Sequence, residues 1–146
     1  MIVCASGYFN PLHVGHLEYL RCAKELGDML WVIVNNDYQV SLKGSTPVMC
    51  ESDRLEIVKS IRWVDRAILS IDDDLSVNQT LEIIKPDVCA NGGDTSPKCF
   101  REKEIYERLG IKMVFNVGGK KIQSSSGLIK NMLTMYNKCD MRYIGA

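Results

Sequence analysis

The stretch that decides the fold of this chain is Gly7-Tyr8-Phe9-Asn10-Pro11-Leu12-His13-Val14-Gly15-His16. It follows a short apolar run, which predicts a buried strand, and it leads into a segment with apolar residues at helical spacing. At such a strand-to-helix turn, backbone N–H groups and the helix dipole favour an anion, and Gly7 and Gly15 allow close approach. His13 and His16, three residues apart, can point the same way from the first helical turn. The motif therefore predicts a site for phosphate groups.

Apolar runs alternate with helical patterns along the rest of the chain. Strands are predicted at residues 2–6, 29–34, 67–71, 88–90 and 112–117. Helices are predicted from near His16, over 52–61 with Ser52 as the cap, over 77–84, over 98–109 with Gly110 as the stop, and over 124–137. This order predicts a single α/β domain over residues 1–146. Its core is a Rossmann-like parallel sheet of about five strands, with right-handed crossovers and helices on both faces.

The carboxyl edge of the predicted sheet is where a ligand is expected. In open parallel sheets, ligands bind outside the carboxyl ends of the strands, near the point where the strand order reverses. Segments 7–16, 35–37, 92–94 and 124–126 follow strands or open helices, so we expect them to converge there. The polar stretch 35–47 is predicted to be a long functional loop.

Composition limits the classes of partner. The chain has 146 residues and is 46% hydrophobic, which suffices for one core. Eighteen basic residues balance eighteen acidic ones, so nothing in the overall charge predicts a nucleic acid or a membrane surface as partner. Apolar stretches are shorter than the ~20 residues of a transmembrane helix, and the N-terminus lacks a signal-peptide pattern. A soluble, cytoplasmic protein is expected.

Six cysteines are spread without a Cys-x-x-Cys pair, and they are predicted to be reduced, mostly buried thiols. A disulfide framework would need an oxidising compartment that nothing else in the sequence indicates. A zinc site that includes His13 and His16 lacks a further ligand pair at metal spacing. The six are Cys4, Cys22, Cys50, Cys89, Cys99 and Cys139.

Four ordered stretches resemble the nucleotidyltransferase superfamily with the His-x-Gly-His signature. The resemblance is to small cytidylyltransferase-type enzymes, among them the glycerol-3-phosphate, phosphocholine and phosphoethanolamine cytidylyltransferases and the heptose-1-phosphate adenylyltransferases. It spans about residues 2–130, and Gly92-Gly93-Asp94 falls where those enzymes carry a similar turn. The matching stretches are residues 7–16, Leu42-Lys43-Gly44 with the following Arg54, Ile61-Arg62-Trp63-Val64-Asp65, and Ile122-Gln123-Ser124-Ser125-Ser126.

The resemblance implies an enzyme that transfers CMP or AMP from a nucleoside triphosphate to a small phosphorylated alcohol or sugar and releases pyrophosphate. A phosphate monoester is already charged at neutral pH, so the enzyme's task is positioning and electrostatics. The implied catalytic residues are His13 and His16, as hydrogen-bond donors or cations to the nucleotide phosphates, and Lys43, on the acceptor phosphate. Mg²⁺ is expected on the triphosphate, since the sequence shows no metal cage.

A further group of residues is assigned to nucleotide binding, and some of them have simpler alternatives. Arg62 could be a surface arginine that packs its stem on apolar neighbours. Gly92-Gly93 could be an ordinary turn, and Ser124 to Ser126 an N-cap. The assigned residues are Gly7, Tyr8, Phe9, Asn10, Gly15, Arg62, Asn91, Gly92, Gly93, Asp94, Gln123, Ser124, Ser125 and Ser126.

Two departures from the family pattern bear on the substrate. Asn10 stands where many relatives have Asp, and Lys120 or Lys121 is the candidate substitute for an arginine that precedes the hydroxyl triplet in the family. Gly-Gly-Asp is typical of the adenylyltransferases, while Leu-Lys-Gly and Arg-Trp-Val-Asp are shared with the cytidylyltransferases. CTP is therefore favoured over ATP. The alternatives are an adenylyltransferase of a sugar phosphate and a catalytically silent nucleotide-binding module.

Assembly is predicted by analogy alone. Small enzymes of this kind are commonly homodimers that pack near the Arg-aromatic-Val-Asp segment. Trp63 is a large apolar side chain beside charged residues, a composition typical of an interface anchor. A homodimer with Trp63 at the contact is expected, the alternative being that Trp63 fills the core of the monomer.

Overall fold

A computed structural model describes residues 1–93, 102–120 and 122–138 of the chain. Five strands form one parallel sheet in the order β3-β2-β1-β4-β5. The predicted Rossmann-like parallel sheet is confirmed, with β3 and β5 ending a few residues earlier than the apolar pattern indicates. The strands are β1 (Ile2–Gly7), β2 (Met29–Val34), β3 (Arg66–Leu69), β4 (Val88–Ala90) and β5 (Lys112–Val114).

Helices cover both faces of this sheet. Successive residues of a strand point to opposite faces, so Val3 packs with Leu20 and Val58 in one buried cluster, while Cys4 packs with Leu81 in the other. Strands buried on both faces explain the continuous apolar runs in the sequence. The helices are α1 (Val14–Lys24), α2 (Asp37–Leu42), α3 (Glu51–Lys59), α4 (Asn78–Ile84), α5 (Lys103–Leu109) and α6 (Ser125–Lys138).

The predicted long loop after β2 is not a loop throughout, because it contains α2. Asn36 and Gln39 form a reciprocal cap: the Asn36 side chain accepts from the N–H of Gln39, and the Gln39 side chain accepts from the N–H of Asn36. Gln39 is fully buried, and its amide also donates to the carbonyls of Asp74 and Ser76. The prediction failed because polar residues in this stretch bond to each other rather than to solvent.

Helix ends differ from prediction at one position and agree at another. Ser52 does not cap α3, since Cys50 is the N-cap and makes no side-chain capping bond. The carboxylate of Asp37 instead accepts from the N–H of Glu51. Gly110 ends α5 in the left-handed region at φ 67°, as predicted. The predicted beginning of that helix falls on residues 98–101, which lie outside the described residues.

Four thiols lie within the described ranges, and all four are free: Cys4, Cys22, Cys50 and Cys89. Cys99 and Cys139 lie outside those ranges. None of the described helices is both long and apolar enough to cross a membrane.

Candidate active site

A cavity of about 920 Å³ opens at the carboxyl ends of β1 and β4, between α1, α6 and residues 43–48. Its position at the switch in strand order is the one expected for a ligand site in such a sheet, and its size suits a small-molecule ligand. The predicted site residues that line it are Gly7, Tyr8, Phe9, Asn10, His13, Gly15, His16, Lys43, Asn91, Gly92, Gly93, Gln123, Ser124, Ser125 and Ser126.

Arg62 does not lie at this cavity. It is exposed and precedes β3, and the N–H of neighbouring Asp65 donates to the carbonyl of Leu30, near the beginning of β2. Residues that precede a parallel strand lie at the amino edge of the sheet, opposite the cavity. The predicted nucleotide-binding role of Arg62 is therefore not supported within its own chain. Asp94 lies outside the described residues.

The two histidines are held by the beginning of α1. His13 is the N-cap residue, and its Nδ1 accepts from the N–H of Gly15 at 3.1 Å. Nδ1 of His16 accepts from the N–H of His13, also at 3.1 Å. The rings stack with centroids 3.8 Å apart and planes inclined by 22°. Because Nδ1 is an acceptor in both, each neutral ring carries its proton on Nε2.

The ring of Phe9 packs against the ring of His16. It is buried, its backbone is in the left-handed region at φ 51°, and the edge of its ring meets His16 with centroids 4.9 Å apart. A Cβ at Gly7 would lie only 2.9 Å from the Phe9 ring, so glycine is required there for packing. Phe9 thus positions His16.

Asn10 connects the motif to residues 43–48. Its amide donates to the carbonyl of Thr46 at 3.0 Å, and its side-chain oxygen accepts from the N–H of Val48 at 2.7 Å. An ionised aspartate side chain can accept hydrogen bonds but cannot donate one. Asparagine at position 10, where many relatives have Asp, can therefore make both of these hydrogen bonds. Asn10 lines the cavity, but its polar side-chain atoms, which the sequence predicts to bind a nucleotide, are bonded to Thr46 and Val48 in the cavity wall.

Arg54 belongs to the stretches that resemble the family, and its side chain connects the segments around the cavity. Its side chain is fully buried. The guanidinium donates to the carbonyls of Tyr8, Asn35 and Met49 and to the carboxylate of Asp37, at 2.6–3.2 Å. It thereby joins the ends of β1 and β2 to the segment that carries Lys43. Sequence spacing does not reveal such burial.

Lys43 lies on the wall formed by α2 and the residues after it. Its Nζ is 4.3 Å from the centroid of the Tyr8 ring, a cation–π contact that holds the ammonium beside the cavity. The wall around it includes Ser45 and Thr46. Lys43 therefore lines the cavity, and its role on an acceptor phosphate stays a prediction.

The serine triplet at the beginning of α6 is partly engaged within the chain. The hydroxyl of Ser124 accepts from the N–H of Gly127 at 3.0 Å, which is an N-cap contact, and that of Ser125 donates to the carbonyl of Pro11 at 2.8 Å. The alternative interpretation as an N-cap therefore describes Ser124. The triplet as a whole still lies on the cavity wall.

The described cavity wall is locally basic although the chain has no net charge. Lys43, Lys120 and Lys130 line it, with Glu18 as the acidic counterpart. The Arg21 guanidinium, 2.6 Å from the Glu18 carboxylate, holds the pKa of that carboxyl below its usual value. No group of three or more His, Cys, Asp or Glu side chains that could hold a metal ion occurs in the described ranges.

Comparison with known proteins connects this geometry to a family. The sequence model of the cytidylyltransferase-like family matches residues 4–133. The chain is 39% identical over 112 residues to an FAD synthase from Pyrococcus abyssi, which covers 76% of this chain and 75% of that protein. It is 30% identical over 141 residues to the bifunctional protein HldE from Syntrophotalea carbinolica, covering 94% of this chain and 28% of that protein.

A solved structure shares the fold. The crystal structure of the lipopolysaccharide core biosynthesis protein from Thermoplasma volcanium superposes with a TM-score of 0.70 at 33% identity. The superposition covers 84% of this chain and 98% of that one.

Proposed function

The chain belongs to the cytidylyltransferase-like family, and from that premise we propose that it transfers a nucleoside monophosphate from a nucleoside triphosphate to the phosphate of a small acceptor, releasing pyrophosphate. The observation that carries the proposal is the stacked pair of His13 and His16 on the cavity wall, each with Nδ1 bound to a backbone N–H. Two Nε2–H donors side by side suit a centre where negative charge develops.

The reaction follows from this placement. An oxygen of the acceptor phosphate attacks the α-phosphorus of the nucleotide, and the bond from that phosphorus to the bridging oxygen breaks. Pyrophosphate leaves with the electron pair. No proton has to be removed from the nucleophile, because a phosphate monoester is ionised at neutral pH. The histidines donate to the phosphate oxygens as charge builds on them, and the walls of the cavity orient the two substrates.

Mg²⁺ would bind at this site mainly through the phosphates of the nucleotide. Glu18, the carboxylate on the described wall, is bound by Arg21, so the chain offers Mg²⁺ few ligands of its own. Triphosphate oxygens and water would supply the octahedral ligands that Mg²⁺ prefers. When bound, the ion offsets charge on the nucleotide phosphates, while Lys43 and the histidines hold the groups around it.

The proposed donor is ATP. The similarity to FAD synthases supports it, since FAD contains an adenosine joined through a pyrophosphate. The turn at Gly92-Gly93, typical of the adenylyltransferase branch, lies on the cavity wall. The sequence-based preference for CTP rested partly on the Arg62–Asp65 segment, which lies at the other edge of the sheet. CTP remains the second candidate because Leu42-Lys43-Gly44 matches the cytidylyltransferase branch and Lys43 lines the cavity.

The proposed acceptor is a small phosphorylated molecule whose phosphate meets Lys43. FMN is the first acceptor to test, because its phosphate would give FAD on adenylyl transfer. A sugar phosphate is the second, in keeping with the heptose-phosphate enzymes that the sequence resembles.

Pyrophosphate release tests the proposal. Each of ATP, CTP, GTP and UTP would be incubated with Mg²⁺ and with FMN, heptose 1-phosphate or glycerol 3-phosphate, and thermal shifts would be recorded in parallel. We expect ATP to raise the melting temperature most, since a ligand of the native state stabilises it. Pyrophosphate should appear only when donor and acceptor are both present. Nucleotide binding without release for any pair would identify a silent binding module instead.

A further inference from the structure

We propose that Tyr19 is a positioning residue that fixes the width of the cleft between β1 and β4, and with it the distance from the two histidines to residues 91–93. The inference rests on the nucleotide site of the proposed function, in which the histidines meet the phosphates of the donor and residues 91–93 meet its nucleoside. The sequence motifs and the comparisons give Tyr19 no role. It lies on α1 and lines the cavity.

The sheet opens between β1 and β4 at the edge that carries the cavity. The register pairs of these strands run from Val3 with Val88 to Cys4 with Cys89, whereas β1 continues to Gly7. The carboxyl ends of the two strands therefore extend beyond the pairs that join them. In open parallel sheets, a ligand binds in the crevice formed at such a point.

Tyr19 spans this opening from the side of α1. Its hydroxyl donates to the carbonyl of Ala90 at 2.5 Å, although the two residues are 71 positions apart in the chain. Ala90 is the last residue of β4 and comes directly before residues 91–93. Since Tyr19 lies about one turn after His16 on α1, the hydrogen bond connects the helix that holds the histidines with the strand that leads to residues 91–93.

The backbone of Tyr19 contacts a second segment on the far side of the cleft. A Cβ on Gly118 would lie 3.0 Å from the Cα of Tyr19, so the segment after β5 packs directly on α1. That segment also packs on residues 91–93, since a Cβ on Gly93 would lie 2.7 Å from the carbonyl oxygen of Gly119. Tyr19 thus contacts both the end of β4 and the segment after β5, and these two are packed against each other.

A fixed width matters because the donor has to reach across the cleft. Residues 91–93, Asn-Gly-Gly, carry no charged side chain, so they suit the uncharged nucleoside rather than the phosphates. Binding both parts of one molecule at once requires that the two sides keep their spacing. Loss of the Tyr19 hydroxyl leaves the carbonyl of Ala90 without this donor, so the two sides lose the bond between them. The cost falls on ligands that bridge the cleft.

The test compares ATP with its two halves, adenosine and inorganic tripolyphosphate. NMR titrations would measure the three affinities for the parent, for Tyr19→Phe, which removes one hydroxyl and keeps the ring, and for the control Tyr38→Phe, on α2, where the tyrosine is 58% exposed. Tyr19→Phe should weaken ATP binding roughly five- to tenfold and leave adenosine and tripolyphosphate at the parent values. Tyr38→Phe should match the parent for all three. If the parent prefers CTP, cytidine replaces adenosine in the same comparison.

Steady-state kinetics adds a second measurement. Tyr19→Phe should raise the KM for the nucleotide and leave the KM for the acceptor unchanged. The inference is overturned if the variant keeps full ATP affinity, or if the affinity for adenosine or for tripolyphosphate falls by the same factor as that for ATP. A parent that binds ATP no more tightly than the better-bound half also overturns it. The expected binding pattern without any release of pyrophosphate would support the role of Tyr19 and refute the proposed catalysis.

Discussion

At the scale of single residues, His13 and His16 combine capping bonds at the beginning of α1 with the proposed phosphate-binding role. The beginning of α1 needs an acceptor for its unpaired N–H groups, and Nδ1 of His13 is that acceptor. The same bond orients the ring and leaves Nε2 with the proton. His16 repeats the arrangement against the N–H of His13. A capping role and a phosphate-binding role are therefore compatible, because they use different nitrogens of one ring.

Replacing either histidine by asparagine should separate these roles. Asparagine is a good N-cap residue whose side-chain oxygen can accept as Nδ1 does, but it has nothing in place of Nε2. We expect His16→Asn, and to a lesser degree His13→Asn, to lower kcat by a factor that corresponds to roughly 2.7–4 kcal/mol of barrier, with little change in nucleotide affinity. Single-turnover assays on the folded variants measure this. Turnover within about threefold of the parent would leave both histidines as structural caps.

The protonation pattern of the two rings can be observed directly. Because both Nδ1 atoms accept backbone N–H groups, ¹H–¹⁵N correlation spectra recorded at pH 8 should show both rings as the Nε2–H tautomer. His13→Asn should leave the His16 signals in the same pattern, since the N–H of residue 13 remains a donor. A signal from an Nδ1–H tautomer in either ring would contradict the geometry described here.

At the scale of elements, the wall that carries Lys43 depends on a buried cation. Arg54 donates to backbone carbonyls that follow β1 and β2 and to Asp37 at the beginning of α2. Asn10 adds bonds to Thr46 and to the segment after it. These hydrogen bonds hold residues 43–48 against the segments that follow β1 and β2.

Arg54→Met should be strongly destabilising. It leaves the carbonyls of Tyr8 and Asn35 without their donor and Asp37 without its cation, and breaking a buried pair in this way costs about 3–5 kcal/mol. Urea unfolding of the parent and the variant measures the loss. The matched control is Arg62→Met, an exposed arginine at the other edge of the sheet, which should change the free energy of unfolding by less than about 0.5 kcal/mol. Equal effects of the two substitutions would contradict the assignment.

An ion pair between Lys24 and Asp65 at the amino edge of the sheet should make the stability of the protein depend on pH. The Lys24 ammonium, together with the N–H of Leu30, holds the pKa of the Asp65 carboxyl below its usual value. A depressed pKa in the folded state stabilises the protein above the unfolded value near pH 4, and this contribution is lost as the pH falls through the folded value.

Asp65→Asn should therefore lower the free energy of unfolding at pH 7. The loss is at most about 1 kcal/mol, because the pair is partly exposed and screened by solvent. Urea titrations at pH 7 and pH 2.5 measure the difference between parent and variant, which should disappear at the lower pH. A difference that persists at pH 2.5 would show that the carboxylate charge is not its source.

At the scale of the whole molecule, the prediction concerns the oligomeric state. Trp63 is half-buried and does not belong to either buried cluster, so it remains the proposed anchor of a homodimer. We expect the parent to be a dimer and Trp63→Glu to be a monomer, because a charge in an apolar contact is costly to desolvate. Light scattering measures both masses. A monomeric parent, or a variant that stays dimeric, would end this proposal.

Much of the fold could be predicted from the sequence because it depends on near neighbours. The apolar run 29–34 and the stop at Gly110 follow from local preferences for strand and for left-handed backbone, and both agree with the structure. The helix α2 was missed because its cap is made by Asn36 and Gln39, whose polar side chains suggested a loop. Periodicity measures apolar spacing and does not detect a cap of this kind.

The sequence by itself determined the parallel α/β fold and the strand-to-helix turn that carries His13 and His16, because each depends on residues a few positions apart. Only the tertiary structure decided which polar side chains remain available to a ligand. Arg54 and Tyr8 are 46 residues apart, and Asn10 and Thr46 are 36 apart, so these bonds exist only once the strands have paired. The position of Arg62 was likewise decided by the direction of β3 in the sheet. The physical reason is that burial and hydrogen-bond partners depend on contacts between distant segments, which no local pattern records.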